Sequence, residues 1–94
     1  MYHHVVLFRL KDPSTVDQAV AMLRTLEGNV PTLREILVGV DDSPSDRSSQ
    51  ICLITRFESR LDYEAYHVHP FHQALLGRFG PLLSEARKVD WSAG

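Results

Sequence analysis

Tyr2-His3-His4-Val5-Val6-Leu7-Phe8-Arg9-Leu10-Lys11 is the stretch that decides the fold. Read as a strand, it sends Tyr2, His4, Val6, Phe8 and Leu10 to one side and His3, Val5, Leu7, Arg9 and Lys11 to the other, since side chains alternate across a strand. The even side is apolar except for His4 and the Tyr2 hydroxyl. The odd side is apolar in mid-strand and charged at its end. A strand apolar on both sides is covered on both sides, so the sheet that holds it needs two covering layers.

The following residues supply one layer. Asp12-Pro13-Ser14 is a helix-start signal, and Val16, Ala19, Val20, Leu23 and Leu26 follow at helical spacing. Gly28-Asn29 ends that helix. Residues 34–40 and 50–57 read as strands, separated by a polar loop over 41–49 with Pro44 and several serines. Ser59-Arg60-Leu61-Asp62 matches a hydroxyl cap followed three positions later by an acid, so a second helix starts near Arg60 and ends near His67. Pro70 disfavours the α conformation at His69 and suits the first position of a new helix, which puts a corner at His69. Gly80-Pro81 interrupts that helix, Leu82 to Ala86 adds a turn, and Lys88 to Trp91 is a short final strand. The tail Ser92-Ala93-Gly94 is expected to be loose.

The order is β-α-β-β-α-β. This is the ferredoxin-like α+β arrangement, a four-stranded antiparallel sheet with the helices on one face. Its other face is bare in a monomer, although the strands are apolar there. A second copy packed sheet against sheet is the simplest cover, so the patterning itself predicts a homodimer.

Composition narrows the function classes. The 94 residues are expected to form one domain spanning residues 1–94, with 10 basic and 12 acidic residues and a formal net charge of -2. That balance speaks against coating nucleic acid, which requires a basic stripe. The single Cys52 has no internal disulfide partner, fits a reducing compartment and reads as a core thiol. No apolar run approaches a membrane span, and Met1-Tyr2-His3-His4 has no charged leader. A cytoplasmic protein with neither nucleic acid nor membrane as partner is expected.

Tyr66-His67-Val68-His69-Pro70-Phe71-His72 gathers three of the five histidines in seven residues. Together with the opening strand, with Phe57-Glu58-Ser59 and with the spacing of Pro31, Ile36 and Gly39, this Y-x-x-H-P-x-H pattern resembles the stress-responsive A/B barrel (Dabb) family. The resemblance runs from about Tyr2 to Trp91 and implies a dimeric ferredoxin-like α+β barrel. It also implies a distant similarity to plant polyketide cyclases of the olivetolic acid cyclase type. In those, the motif's tyrosine and last histidine act in an aldol cyclisation, and a first-strand histidine lines the pocket. Carried over, the catalytic pair is Tyr66 and His72, and His4 is a pocket residue. The pocket tyrosine of the first helix and a pocket histidine of the third strand have no counterpart here, where Leu23 and the neighbourhood of Ile51 stand. The cyclase substrate is therefore not carried over.

The residues themselves leave two readings. His72 is suited to general-base work because its ordinary pKa lies near neutrality, with Tyr66 donating a hydrogen bond to a developing oxyanion. Alternatively, both brace a helix corner, as buried histidines and tyrosines often do. His69, just before Pro70, is a pocket candidate that also fits a helix cap, and His67 reads as exposed. His69 and His72 have a chelating spacing, but no acid or cysteine completes a zinc set, so neither metal nor cofactor is expected. The expected activity is acid–base catalysis, cyclase-like or lyase-like, on a small hydrophobic carbonyl compound. The alternatives are a non-catalytic stress or ligand-binding dimer and, by fold analogy alone, a monooxygenase.

Overall fold

The opening strand lies inside the sheet. In the computed structural model, which describes residues 1–94, β1 (Tyr2–Leu10) is flanked by β3 (Ile51–Phe57) and β4 (Leu83–Ser92), and β2 (Glu35–Val40) lies outside β3. All three pairings are antiparallel. Helices α1 (Val16–Arg24), α2 (Arg60–Val68) and α3 (Pro70–Phe79) complete the fold, with short 3-10 turns over Pro13–Thr15 and Gly80–Leu82. The order β2-β3-β1-β4 is that of the ferredoxin-like α+β class.

Alternation in the sequence becomes burial on the helix side. Tyr2, His4, Val6, Phe8 and Leu10 of β1 and Ile51, Leu53, Thr55 and Phe57 of β3 are all buried. They pack against Ala19, Leu23 and Leu26 of the α1 region, Tyr66 of α2, and Leu75 and Phe79 of α3. Thr55 satisfies its enclosed hydroxyl by donating to the His4 carbonyl. The turn after α1 needs Gly28, whose φ of 80° favours a residue without a Cβ.

The local signals around α2 and α3 fold as the sequence implies. Ser59 Oγ accepts from the Asp62 N–H at 3.2 Å. His69 stands extended at the corner, with φ −61° and ψ 136°. Its Nδ1 accepts from the Phe71 N–H at 3.1 Å and so caps α3. Replacing His69 by Ala is expected to cost about 1 kcal/mol of stability, the usual worth of an N-cap. Urea unfolding of the variant beside His69→Asn, which can restore the cap, measures it.

The final strand is longer than the sequence implies. It runs from Leu83 rather than Lys88, and the turn expected over Leu82 to Ala86 is largely strand. Its partner explains this, because β1 pairs with β4 along its whole length, from Tyr2–Ser92 to Leu10–Leu83, with one irregularity at Arg9/Leu10. Its charged residues, Glu85, Arg87, Lys88 and Asp90, hide the strand from a reading based on apolar alternation.

The other sheet face carries three cross-strand rows. Leu37, Ile54, Val5 and Val89 form an apolar row, and Gly39, Cys52, Leu7 and Arg87 a second. Glu35, Arg56, His3 and Trp91 form the third, where Arg56 bonds Glu35 at 2.8 Å and His3 at 3.1 Å and His3 stacks on Trp91. Cys52 is thus half-buried on this outer face rather than in the core.

Candidate functional site

Between the sheet and the helices lies a cavity of about 330 Å³. Val6, Phe8 and Leu53 line its sheet wall, and Leu75 and Phe79 line its helix wall. His4, Tyr66 and His72 all reach it, and so do Tyr63 and His67. Its size is at the small end of the usual range for ligand pockets, and its wall is mostly apolar.

The corner at Pro70 sets the orientation of His72. In an unbroken helix the Phe71 N–H would bond the His67 carbonyl, four residues back. Here that N–H is taken by His69 Nδ1, which leaves the His67 carbonyl open. His72 Nδ1 donates to it at 2.9 Å. A carbonyl only accepts, so Nδ1 carries the proton and Nε2 presents a lone pair. His72 is 8% exposed. No protein group bonds its Nε2, and no fully enclosed side-chain nitrogen or oxygen of the chain lacks a partner, so Nε2 is not sealed in, and His72 lines the cavity.

The Tyr66 ring lies 4.4 Å from that of His72, tilted by 47°. Tyr66 is 1% exposed. By the same reasoning its hydroxyl, unbonded within the protein, is not sealed in, and Tyr66 lines the cavity. Burial pushes its phenol well above the ordinary value, with Tyr63 adding to the effect, so it is a fixed proton donor at neutral pH. Burial pushes His72 the other way, below its ordinary 6.5. The His67 carbonyl opposes that shift, while His67, His4 and His69 add to it. His72 is therefore a neutral base near neutral pH.

On the sheet wall, His4 stands opposite Asp90 in the β1–β4 register. Its Nδ1 bonds Asp90 Oδ1, while Lys88 Nζ donates to Oδ2. Tyr63 packs on His4 at 4.8 Å and on Tyr2 at 5.3 Å.

Of the sequence candidates, the fold brings Tyr66, His72 and His4 to one cavity. His69 does not join them, because its ring is committed to capping α3. Tyr63 and His67 line the cavity unforeseen, and so does Lys88, with Asp90 behind His4. The helical spacing of Tyr63 and Tyr66 was the available signal for the first. For Lys88 and Asp90 the unseen length of β4 removed any signal. No three His, Cys, Asp or Glu side chains stand together as a metal-holding group, and no helix is long and apolar enough to cross a membrane.

The stress responsive A/B barrel domain family matches residues 2–93, and the chain belongs to that family. It is 28% identical over 96 residues to a stress-response A/B barrel domain-containing protein of Arabidopsis thaliana, covering 96% of this chain. The chain spans 36% of that relative's length. A dimeric ferredoxin-like protein of unknown function from Thermobifida fusca matches with a TM-score of 0.84 and 25% identity, over 98% of this chain and 90% of the other. The hydroxynitrile lyase from Passiflora edulis matches with a TM-score of 0.82 and 20% identity, over 96% and 90%.

Proposed function

We propose that this A/B barrel protein works as a sheet-to-sheet homodimer whose cavities catalyse proton transfer on small apolar carbonyl compounds. The observation that carries the reading is the pair formed by the free Nε2 of His72 and the free hydroxyl of Tyr66, side by side in an apolar cavity. The ligand's carbonyl oxygen accepts a hydrogen bond from Tyr66. His72 Nε2 takes the proton from the neighbouring carbon, and the bonding electrons move to the oxygen that Tyr66 holds. The enolate so formed can be reprotonated, or can attack a second carbonyl as in an aldol step.

The hydroxynitrile lyase supports the capacity of this fold for carbonyl chemistry, by analogy only. The dimeric neighbour and the apolar outer face support the assembly. The lone Cys52 favours the cytoplasm, and the net charge of -2 argues against nucleic acid as a partner. The monooxygenase alternative rests on fold resemblance, without a further feature of the cavity.

Deuterium wash-in tests the reading. Phenylacetone, an apolar aryl ketone, is incubated with the protein in heavy water and its benzylic position followed by NMR. Exchange faster than in buffer, saturating with phenylacetone, is the predicted result. Binding without exchange would leave a ligand-binding dimer, and the catalytic reading would fall. The pH profile gives a second prediction. His72 lies below 6.5 in the fold, so it stays neutral as the pH falls past that value. The acid limb of the exchange rate is expected below pH 6.5. A limb above it would point to a different base.

A further inference from the structure

We propose that Asp90 is a positioning residue that makes His4 a second proton carrier, on the sheet wall facing His72 on the helix wall. The cavity then addresses both faces of a planar ligand. The inference rests on the proton-transfer reading above and adds to it a second group and a stereochemical consequence.

Three observations carry it. First, His4 is buried at 8% exposure and lines the cavity, whereas Asp90 does not line it and sits behind the ring. Second, the carboxylate is held ionised and in place. Burial raises its pKa, but the hydrogen bonds and the charges of Lys88 and His4 together outweigh this and lower it from its ordinary value. An ionised carboxylate only accepts, so His4 Nδ1 donates, and in the neutral ring it is Nε2 that bears the lone pair. Third, that Nε2 has no protein partner and is not enclosed, and His4 on β1 and His72 on α3 line the same cavity. The groups around His4 are Asp90 and Lys88 from β4, Tyr2 from its own strand, Tyr63 and His67 from α2, and His72 from α3. Asp90 is the carboxylate bonded to the ring, placed to offset the charge that forms when Nε2 takes a proton.

The steps balance without a co-reactant. His72 Nε2 takes a proton from one face of the carbon beside the carbonyl. The C–H electrons move to the oxygen held by Tyr66, which leaves a planar enolate. His4, carrying a proton on Nε2 from solvent, gives it to the opposite face: a C–H bond forms and the N–H bond breaks. The carbon is inverted, His72 is left protonated and His4 neutral, and exchange with water restores both. A single base on one wall would return the proton to the face it left.

Phenylacetone methylated at its benzylic carbon, supplied as one enantiomer, separates these cases. The wild-type protein is expected to racemise it while exchanging deuterium. Asp90→Leu removes the acceptor behind His4 and is expected to slow racemisation by about tenfold or more, the usual worth of such a partner. Exchange with retention is expected to survive through His72. Asp90→Asn, which keeps an oxygen acceptor without the charge, should lie between and guards against misfolding of the leucine variant. Nitrogen-15 spectra of labelled histidine provide a readout independent of turnover. Neutral His4 should hold its proton on Nδ1 in the wild type and shift it to Nε2 in Asp90→Leu.

A neutral wild-type His4 whose single proton sits on Nε2 would overturn the proposal. So would unchanged racemisation in a variant whose tautomer has switched, since the His4–Asp90 pair would then be structural. If the wild type fails to exchange phenylacetone at all, the proton-transfer reading falls and the proposed carrier role falls with it. The tautomer spectra then still report whether Asp90 positions the ring.

Discussion

His72→Ala should lower the rate of deuterium exchange into phenylacetone by about a hundredfold or more, toward the buffer rate, because a positioned general base typically supplies 10²–10⁴-fold. The fold should survive the change. His72 contributes a ring at the cavity wall and one hydrogen bond to the His67 carbonyl. Gln73 also donates to that carbonyl, so truncation does not strand a buried acceptor. Tyr66→Phe should act on the same step from the other end. It keeps the ring that packs on Phe57 at 5.0 Å and removes only the donor for the developing oxyanion, a loss of about a hundred- to a thousandfold on the scale of single donors to such charges. Steady-state exchange rates, with circular dichroism as a control for folding, check both. Full exchange in His72→Ala would return the pair to a bracing role.

Leu37→Asp is expected to turn a dimer into a monomer. Leu37 is 48% exposed in the single chain, so a carboxylate there is solvated and costs the monomer little. In a sheet-to-sheet dimer the same position joins the row of Ile54, Val5 and Val89 and is covered. Two-fold symmetry buries one unpaired carboxylate from each subunit. An uncompensated buried charge costs roughly 3–5 kcal/mol, which corresponds to a dissociation constant weaker by at least about a hundredfold. Sedimentation equilibrium of the wild type and the variant measures this. A monomeric wild type, or a variant that dimerises equally well, would show that some other layer covers the outer face.

The sequence made most of the fold legible, and the reason is local. β1 alternates cleanly, Ser59 and Asp62 announce the start of α2, and Pro70 forces the corner at His69, each through short-range sterics or hydrogen bonding. β4 was legible only in part. As an edge strand with charged residues on both faces, it is held by its pairing with β1, and that pairing is a long-range fact. The site divides along the same line. Tyr66 and His72 stand out because the motif clusters them, and His4 because it is a histidine on an apolar face. Asp90 was hidden because its significance depends on the β1–β4 register. His69 offered both a pocket place and a helix cap, and the corner at Pro70 gives it the cap, with its ring turned to the Phe71 N–H.

In the proposed site, one apolar cavity presents the Nε2 atoms of His72 and His4 to one ligand. Titrating phenylacetone into protein labelled with nitrogen-15 at histidine tests it most directly. Saturable shifts are expected at the Nε2 resonances of both His72 and His4, while those of His69, bound to its cap, and His3, on the outer face, stay in place. Shifts confined to His3, or none at saturating ketone, would contradict it.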